Sequence, residues 1–262
     1  MDESEGLEDQ FNIHSIPQNI FVNADGIEID RIVGYFPPEE FRKKVNDILN
    51  GINTIQNLEN RISENSENIE LLSVLSEKYD AIGRLEDSKI LYEKILTLNP
   101  HSDFAEFNLA KLHLKNGNAD PLGSFIKEHR NSEYLSDGFS ELIIHFRKEN
   151  NVEKEVEISD QWVSAFSEDS NVLNAYAWRM SELEINLEHA LELVRNAVKL
   201  SASDPFGQAM IIDTEAEILW KLGRVEEAVE TIERSIQINP EDSYYQDQKE
   251  KFKSPPEIDP EV

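Results

Sequence analysis

The fold is decided by the stretch from residue 209 to residue 242, which reads AMIIDTEAEILWKLGRVEEAVETIERSIQINPED. Its apolar residues recur at steps of three and four, which is typical of amphipathic helices. Gly223 interrupts the pattern in the middle, and Pro240 ends it. Because glycine suits a tight turn and proline cannot continue a helix, the stretch predicts two helices joined by a short turn.

The same design recurs along the chain with a period of 34 residues. Residues 69–102 read IELLSVLSEKYDAIGRLEDSKILYEKILTLNPHS and end their second helix near Pro100. The turn positions advance by 34, with a last step of 38: Gly83, Gly117, Asn151, Ile185 and Gly223. Five residues after each turn, where the second helix approaches the first, stand Ser88, Leu122, Val156, Ala190 and Ala228. An insertion around residues 205–208 accounts for the longer last step. A period of this size indicates a helical repeat.

A helical hairpin of this kind has one apolar face that it cannot bury alone, so hairpins stack on their neighbours. We therefore expect a mainly α fold, a solenoid of about five hairpins over residues 68–252. A linker helix is expected in 53–67 and a loose tail in 253–262. The predicted core of the first hairpin is Leu72, Leu75, Tyr79, Ile90, Leu91, Tyr92 and Ile95. The predicted core of the last hairpin is Ile211, Ile212, Ala216, Leu219, Ala228, Val229, Ile232 and Ile236.

Residues 69–102 and 209–242 resemble tetratricopeptide repeats, a family of protein-binding helical hairpins. That family has small residues at repeat positions 8 and 20, a turn residue near 15, a bulky residue at 24 and proline at 32. The first hairpin supplies Ser76, Gly83, Ser88, Tyr92 and Pro100. The last hairpin supplies Ala216, Gly223, Ala228, Ile232 and Pro240. The middle hairpins depart, since Ile144 and Trp178 stand at the small position and Asp160 stands at the bulky one.

The N-terminal residues carry a different pattern. Residues 19–23 predict a short strand, residues 24–26 a hairpin turn, and residues 27–35 the returning strand. Pro37 and Pro38 then open a helix with Glu39 and Glu40 in its first turn, where acids oppose the helix dipole.

This order of elements resembles the second half of a thioredoxin domain, through residues 11–23 (FNIHSIPQNIFVN), residues 25–26 and residues 30–41 (DRIVGYFPPEEF). We assign residues 1–52 to this partial thioredoxin-like segment. In that family the bond before the proline matching Pro17 is cis and lies beside the redox dithiol. The next residue is usually threonine, whereas this chain has Gln18.

The front half of a thioredoxin domain, with its Cys-x-x-Cys, is absent, and the chain contains no cysteine. A hairpin with one helix is too small to be stable alone. Two interpretations follow: this chain is a truncated copy of a longer oxidoreductase, which we favour, or the segment docks on the first repeat. As it stands, the chain is expected to be a redox-inactive scaffold for protein–protein interaction. The alternative function is that of a truncated thiol-disulfide oxidoreductase whose Cys-x-x-Cys half is missing.

The composition of the chain limits the kinds of partner that it is expected to bind. The chain has 262 residues and a net charge of −28, which repels nucleic-acid phosphates and anionic membranes and favours basic or neutral partners. No signal peptide is visible after Met1, and no apolar run approaches the length of a membrane helix, so a cytoplasmic location is the default expectation.

The histidines show no metal-ligand spacing, and neither a nucleophile elbow nor a phosphate-binding loop is present. The sequence therefore predicts no cofactor, no metal and no enzyme activity.

The first helices of the hairpins suggest a binding surface. Tetratricopeptide proteins line their inner groove with repeat positions 2, 5, 9, 12 and 13 of these helices. In this chain those positions include Phe104, Phe107, Lys111, Lys115, His145, Lys148, Arg179, Trp220 and Lys221. A basic and aromatic lining in an acidic chain predicts a groove for a protein or peptide, either acidic or presenting its C-terminal carboxylate.

Overall fold

The computed structural model describes residues 5–13 and 16–256. Residues 14 and 15 of the thioredoxin-like stretch and residues 257–262 of the predicted tail lie outside that description. The chain divides into two compact units, residues 1–141 and residues 142–262.

The first unit begins with the predicted strand, turn, strand and helix. Helix α1 (Glu5–Phe11) precedes strands β1 (Gln18–Val22) and β2 (Glu28–Val33), and helix α2 (Pro38–Leu49) follows them. The strands pair antiparallel with Gln18 opposite Val33. Their turn places Gly26 at a φ of 76°, a conformation that suits glycine. The bond between Ile16 and Pro17 is cis.

The hairpin is docked on the first repeat through Arg31, whose side chain is buried. Its guanidinium donates to the main-chain oxygens of Phe11, at 2.6 Å, and Ala81, at 2.9 Å. It also forms a bidentate pair with Glu28. Beside it, Lys78 Nζ donates to both oxygens of the buried Asp30 carboxylate at 2.6 and 2.7 Å. These contacts are the docking on the first repeat that the sequence analysis names as the alternative to truncation. They anchor a hairpin that is too small to be stable alone.

A cavity of about 350 Å³ remains at this contact. Its walls come from β2, from α2 and from the first helix of the first repeat, and they include Phe36, Lys44, Val74, Glu77 and Lys78. Burial, with a contribution from Asp80, raises the pKa of Glu77 above its ordinary value.

The rest of the described chain consists mainly of helices of 9 to 17 residues, the first of which lies in the predicted linker. In the first unit they are α3 (Ile55–Glu64), α4 (Ile69–Ala81), α5 (Leu85–Leu98), α6 (Asp103–Lys115) and α7 (Asp120–Glu128). Helix α8 (Leu135–Lys148) contains the boundary between the two units. In the second unit they are α9 (Val152–Ala165), α10 (Ser170–Leu183), α11 (Leu187–Leu200), α12 (Pro205–Lys221), α13 (Val225–Ile238) and α14 (Ser243–Phe252). The predicted mainly α, repeat-type fold is confirmed.

Side-chain oxygens cap the starts of many of these helices by accepting main-chain N–H bonds that the helix leaves unpaired. The capping residues are Thr54, Asn68, Ser102, Asn151, Asp169, Asp204 and Asp242. Asn151 is therefore a helix cap rather than the turn residue that the 34-residue step predicts.

The predicted core is largely buried, and Ile90 is the exception. Leu72, Tyr92 and Ile95 are fully enclosed, whereas Ile90 is 60% exposed. The buried residues of α5 are Ser88, Tyr92 and Ile95. Because a helix turns about 100° per residue, Ile90 lies on the side of α5 opposite the face that these residues share.

The register of the third hairpin differs by one residue from the predicted one. Left-handed backbone occurs at Asn150 (φ 54°), one residue before Asn151. Five residues later the buried side chain is Glu155, 1% exposed, and not Val156, which is only partly buried. Likewise Ser159 is buried in place of Asp160. The prediction at these positions was wrong because the turn residue Asn150 follows Gly117 by 33 residues and not by 34. Helix α7 has 9 residues where α5 has 14, and the longer connection that follows α7 does not make up the whole difference.

The shift continues into α10 and ends at the next turn. Ile143 and Ala177 are buried, whereas their neighbours Ile144 and Trp178 are exposed. The small position of the fourth hairpin therefore holds Ala177, and the departure that Trp178 suggested disappears. The register is restored between α10 and α11, since Ala190 follows Ala177 by 13 positions whereas Ser88 follows Ser76 by 12, and Ala190 is buried as predicted. Glu184 and Asn186 adopt left-handed backbone in this connection.

The inserted residues 205–208 form the first turn of α12, which has 17 residues where α4 has 13. Pro205 suits this position because its missing N–H would be unpaired there in any case. Asp204 caps the turn through the N–H of Gly207.

We predict that replacing Arg31 by alanine will release the hairpin from the first repeat. The change leaves Glu28 and two main-chain oxygens without their donor, and such losses cost about 2–4 kcal/mol. Hydrogen exchange at the amides of β1 and β2 should accelerate by roughly 10-fold or more, since local opening becomes easier. The control is Arg42→Ala, whose exposed pair with Glu39 contributes little. Equal exchange in the two variants would contradict the anchoring role of Arg31.

Candidate binding surface

The candidate surface is the exposed side of the first helix of each hairpin, which we call the first-helix face. Helices α4 and α6 carry it in the first unit, α10 and α12 carry it in the second, and α8 contains the unit boundary. In the first unit the predicted aromatic residues lie largely beneath it. Phe107 is buried, stacks on Tyr134 at a centroid distance of 5.1 Å and packs against Phe125. Phe104 is partly buried against Tyr92 and Tyr134. These rings stabilise the fold and leave little aromatic surface for a ligand.

The predicted basic residues of the first unit differ in their pairing. Lys111 lies 3.4 Å from Glu141, with its ammonium over the Phe107 ring. Lys115 is exposed at the end of α6. The positive charge of Lys111 is thus largely compensated within the unit.

Most of the predicted residues of the second unit also interact with other residues of that unit. His145 Nε2 lies 3.4 Å from Glu149, and Lys221 forms an ion pair with Glu184. Lys148 is exposed. Trp220 Nε1 donates to the main-chain oxygen of Ser254 at 2.6 Å, and its ring packs against Phe252 in α14.

Arg179 belongs to a buried ion cluster centred on Glu155. Arg179 donates from Nε to Glu155 Oε1 at 2.7 Å and from Nη2 to Oε2 at 3.0 Å. Arg147 Nε donates to the same Oε1 at 2.8 Å. Two cations therefore hold one buried carboxylate at the position where the other hairpins place an uncharged side chain, namely Ser88, Leu122, Ala190 and Ala228.

The electrostatics of this cluster explain why the carboxylate stays ionised. Burial alone would raise the pKa of Glu155, but hydrogen bonds from Arg179 and then Arg147 outweigh burial and leave that pKa below its ordinary value. Because the cations act on Glu155, they are not free to attract a ligand.

The corrected register brings other residues to repeat position 9 of the face. This position holds Ile144 in the third hairpin and Trp178 in the fourth, where the sequence predicted His145 and Arg179. Trp178 is 40% exposed, and its Nε1 donates to Glu182 at 3.1 Å. The sequence pattern did not predict these two residues because the assigned repeat register was wrong by one residue. Ala177, beside Trp178, is the small residue that the repeat pattern requires, and it could have indicated the correct register.

A cavity of about 460 Å³ opens beside Trp178 in the second unit. Its walls come from α10, from α12 and from the start of α14. The lining residues are Asn174, Trp178, Phe206, Met210, Asp213, Thr214, Asn239, Asp242, Tyr244 and Tyr245. Phe206 and Met210 are more than half exposed, so the rim is apolar. The sequence did not predict the contribution of α14, because the repeat pattern ends near Pro240.

Two oxygens of the lining residues are buried without a hydrogen-bond partner, Asn174 Oδ1 and Asp213 Oδ1. The other oxygen of Asp213 accepts a hydrogen bond from the Tyr244 hydroxyl at 3.0 Å. Burial raises the pKa of Asp213 to about 6, opposed by the Tyr244 hydrogen bond and supported by the charge of Glu217. Buried polar atoms usually have a hydrogen-bond partner, so two unpaired buried oxygens at one cavity are unusual.

The predicted cis-proline is found in the first unit. Pro17 lies in the thioredoxin-like segment, and its main-chain oxygen accepts a hydrogen bond from Gly34 at 2.9 Å. Within residues 5–13 and 16–256, no helix combines the length and the apolar character needed to cross a membrane. The same part of the chain contains no group of three histidine or acidic side chains placed to hold a metal ion.

Comparisons with family models agree with the two patterns in the sequence. Residues 2–49 match the model of a thioredoxin-like domain. Residues 214–242 match that of a tetratricopeptide repeat. A comparison with curated protein sequences gave no match.

Solved structures of tetratricopeptide type are similar in fold. The MamA protein aligns over 69% of this chain and 97% of its own, with a TM-score of 0.51 and 12% identity. BtubC from P. vanneervenii aligns over 71% of this chain and 87% of its own, with a TM-score of 0.50 and 14% identity. YrrB, described as a TPR protein with an unusual peptide-binding site, aligns over 74% and 97% at a TM-score of 0.49 and 17% identity. The chain therefore combines a thioredoxin-like stretch with tetratricopeptide-type hairpins.

We predict that Glu155→Gln will destabilise the protein by about 1–3 kcal/mol at neutral pH, a range reduced because Arg147 is half exposed. The lowered pKa stabilises the fold above the ordinary carboxyl pKa, and this contribution is lost as the pH falls through the folded-state value. The difference between wild type and variant, measured by urea unfolding, should therefore shrink in acid. The control is Glu182→Gln, an exposed partner of the same Arg179, which should change stability by less than about 0.5 kcal/mol. A similar loss in both variants would contradict the assignment.

Proposed function

We propose that this protein is an interaction scaffold that binds a peptide segment of a partner protein on the first-helix face of its second unit. The tetratricopeptide-type fold supports a protein-interaction scaffold, and the cavity beside Trp178 supports the proposed position of the binding surface. The observation that carries the proposal is the group of exposed apolar side chains at that cavity: Trp178, Phe206 and Met210.

These side chains have the features of an interaction surface. Phe206 is 66% exposed and Met210 61%, and both line the same cavity as Trp178. Grouped apolar side chains on a surface mark interaction sites, whereas single ones are ordinary. Tryptophan is enriched among the residues that dominate binding energy, and methionine adapts to varied partners. A cavity of about 460 Å³ is within the range of ligand sites.

An acidic or C-terminal partner is less favoured than the sequence predicted. Lys111, Arg179 and Lys221 already pair with carboxylates of the chain. Lys115 and Lys148 are exposed and are the residues on which a preference for acidic partners would depend. We therefore propose a protein or peptide as the partner, and we propose that the partner makes its main contact at the apolar cavity.

We also propose that this chain performs no thiol-disulfide exchange. Exchange requires a thiolate, and the sequence contains no cysteine. The thioredoxin-like stretch instead has a structural role through Arg31 and Asp30, which attach it to the first repeat.

The proposal is tested with peptides selected by phage display against the whole chain and measured by isothermal titration calorimetry. Trp178→Ala should weaken the selected peptides roughly 10-fold or more, since removing a central aromatic contact has that effect. The control is Tyr35→Ala, because Tyr35 is an exposed aromatic residue of the thioredoxin-like segment. Thermal melting should show that both variants are folded.

Two outcomes would overturn the proposal. One is peptides that bind wild type and Trp178→Ala equally well. The other is peptides that lose affinity for Tyr35→Ala instead, which would place the binding surface in the N-terminal segment.

A further inference from the structure

The cavity beside Trp178 contains a carboxylate with unused hydrogen-bonding capacity. Asp213 is only 7% exposed, and its Oδ2 accepts from Tyr244 while its Oδ1 has no partner. An ionised carboxylate can accept about four hydrogen bonds. Burying it with one donor is costly unless a further donor or a cation is supplied.

The residues around Asp213 do not supply that cation. Among the described residues that line the cavity there are two carboxylates, Asp213 and Asp242, and no lysine or arginine. Lys251 in α14 is the cation that acts on Asp213, but it is already paired with Glu217 of α12. The local charge therefore complements a positive group brought by a partner.

The remaining lining suits an organic cation. Trp178, Tyr244 and Tyr245 place aromatic rings at the cavity, and the two tyrosine rings meet edge to face at 5.5 Å. Aromatic faces attract ammonium and guanidinium groups. Met210 and Phe206 add apolar surface for the methylene groups that carry such a charge.

We propose that this cavity binds the cationic side chain of a lysine or arginine on the partner peptide. Asp213 Oδ1 accepts from the charged group, Asn174 Oδ1 is a second acceptor, and the rings and Met210 enclose the aliphatic stem. This inference rests on the proposed function, because it identifies the chemistry recognised at the same surface.

Charge over the whole chain and at the site supports the inference. A net charge of −28 attracts basic segments over long range. The pKa of Asp213, about 6, leaves it mostly ionised at neutral pH despite burial by α10, α12 and α14. A bound cation lowers that pKa further, so binding is expected to weaken as the pH falls through about 6. The other titratable groups that face Asp213 are Tyr244, Tyr245, Glu217, Asp242 and Lys251.

The test uses four hexapeptides capped at both ends, each with leucine on either side of a central residue that is lysine, arginine, norleucine or glutamate. Binding to the whole chain is measured by isothermal titration calorimetry at millimolar peptide. The lysine or the arginine peptide should bind at least about 10-fold more tightly than the norleucine peptide, as expected for a charged hydrogen bond. The glutamate peptide should bind most weakly.

Asp213→Asn should remove that preference while the norleucine peptide binds as before. The matched control is Asp247→Asn, which removes the same charge from an exposed residue of α14 and should keep the preference. The raised pKa means that ionised Asp213 reduces stability above about pH 6, so Asp213→Asn should melt no lower than wild type at neutral pH. Asp213→Ala provides a second variant without a hydrogen-bonding side chain.

Equal binding of the lysine, arginine and norleucine peptides, or no measurable binding of the two cationic ones, would overturn the inference. Preservation of the preference in both Asp213 variants would also overturn it. These outcomes leave the proposed scaffold function standing, because that function fails only if selected peptides bind independently of Trp178.

Discussion

The structure depends on the close approach of the two helices within each hairpin. Ser88, Leu122, Ala190 and Ala228 all stand five residues after the turn position and are fully buried where the helices meet. Because a helix presents one face to its neighbour, fixing this residue fixes which side chains of the hairpin point into the core and which point outward. A change of one residue in the spacing therefore changes the whole exposed face.

The third hairpin meets this constraint with a charged residue. Glu155 occupies the close contact, and Arg147 and Arg179 compensate its buried carboxylate. Arg179 is engaged by this carboxylate, and the exposed side chain beside it is the aromatic ring of Trp178. The packing of one hairpin thus influences which side chains the next hairpin exposes.

Much of the fold could be predicted from the sequence, because turn residues such as Gly83 and Gly223 recur at a nearly fixed period. The register of the third hairpin could not be predicted, because Val156 is a better candidate for burial than Glu155. Burial of Glu155 is explained only by its contacts with two arginines, which the sequence pattern does not show. The same one-residue error moved the predicted surface from Trp178 to Arg179. The cavity needed Tyr244 from α14, which lies beyond the last repeat and shares no pattern with it.

The most direct test of this account uses single cysteines, since the chain has none of its own. Cysteine is placed at position 143, 144, 177 or 178, one position per variant, and the rate of maleimide labelling is measured on the folded protein. The account predicts fast labelling at 144 and 178 and strong protection at 143 and 177, because Ile143 and Ala177 are buried while Ile144 and Trp178 are exposed. Fast labelling at 143 and 177 with protection at 144 and 178 would contradict it.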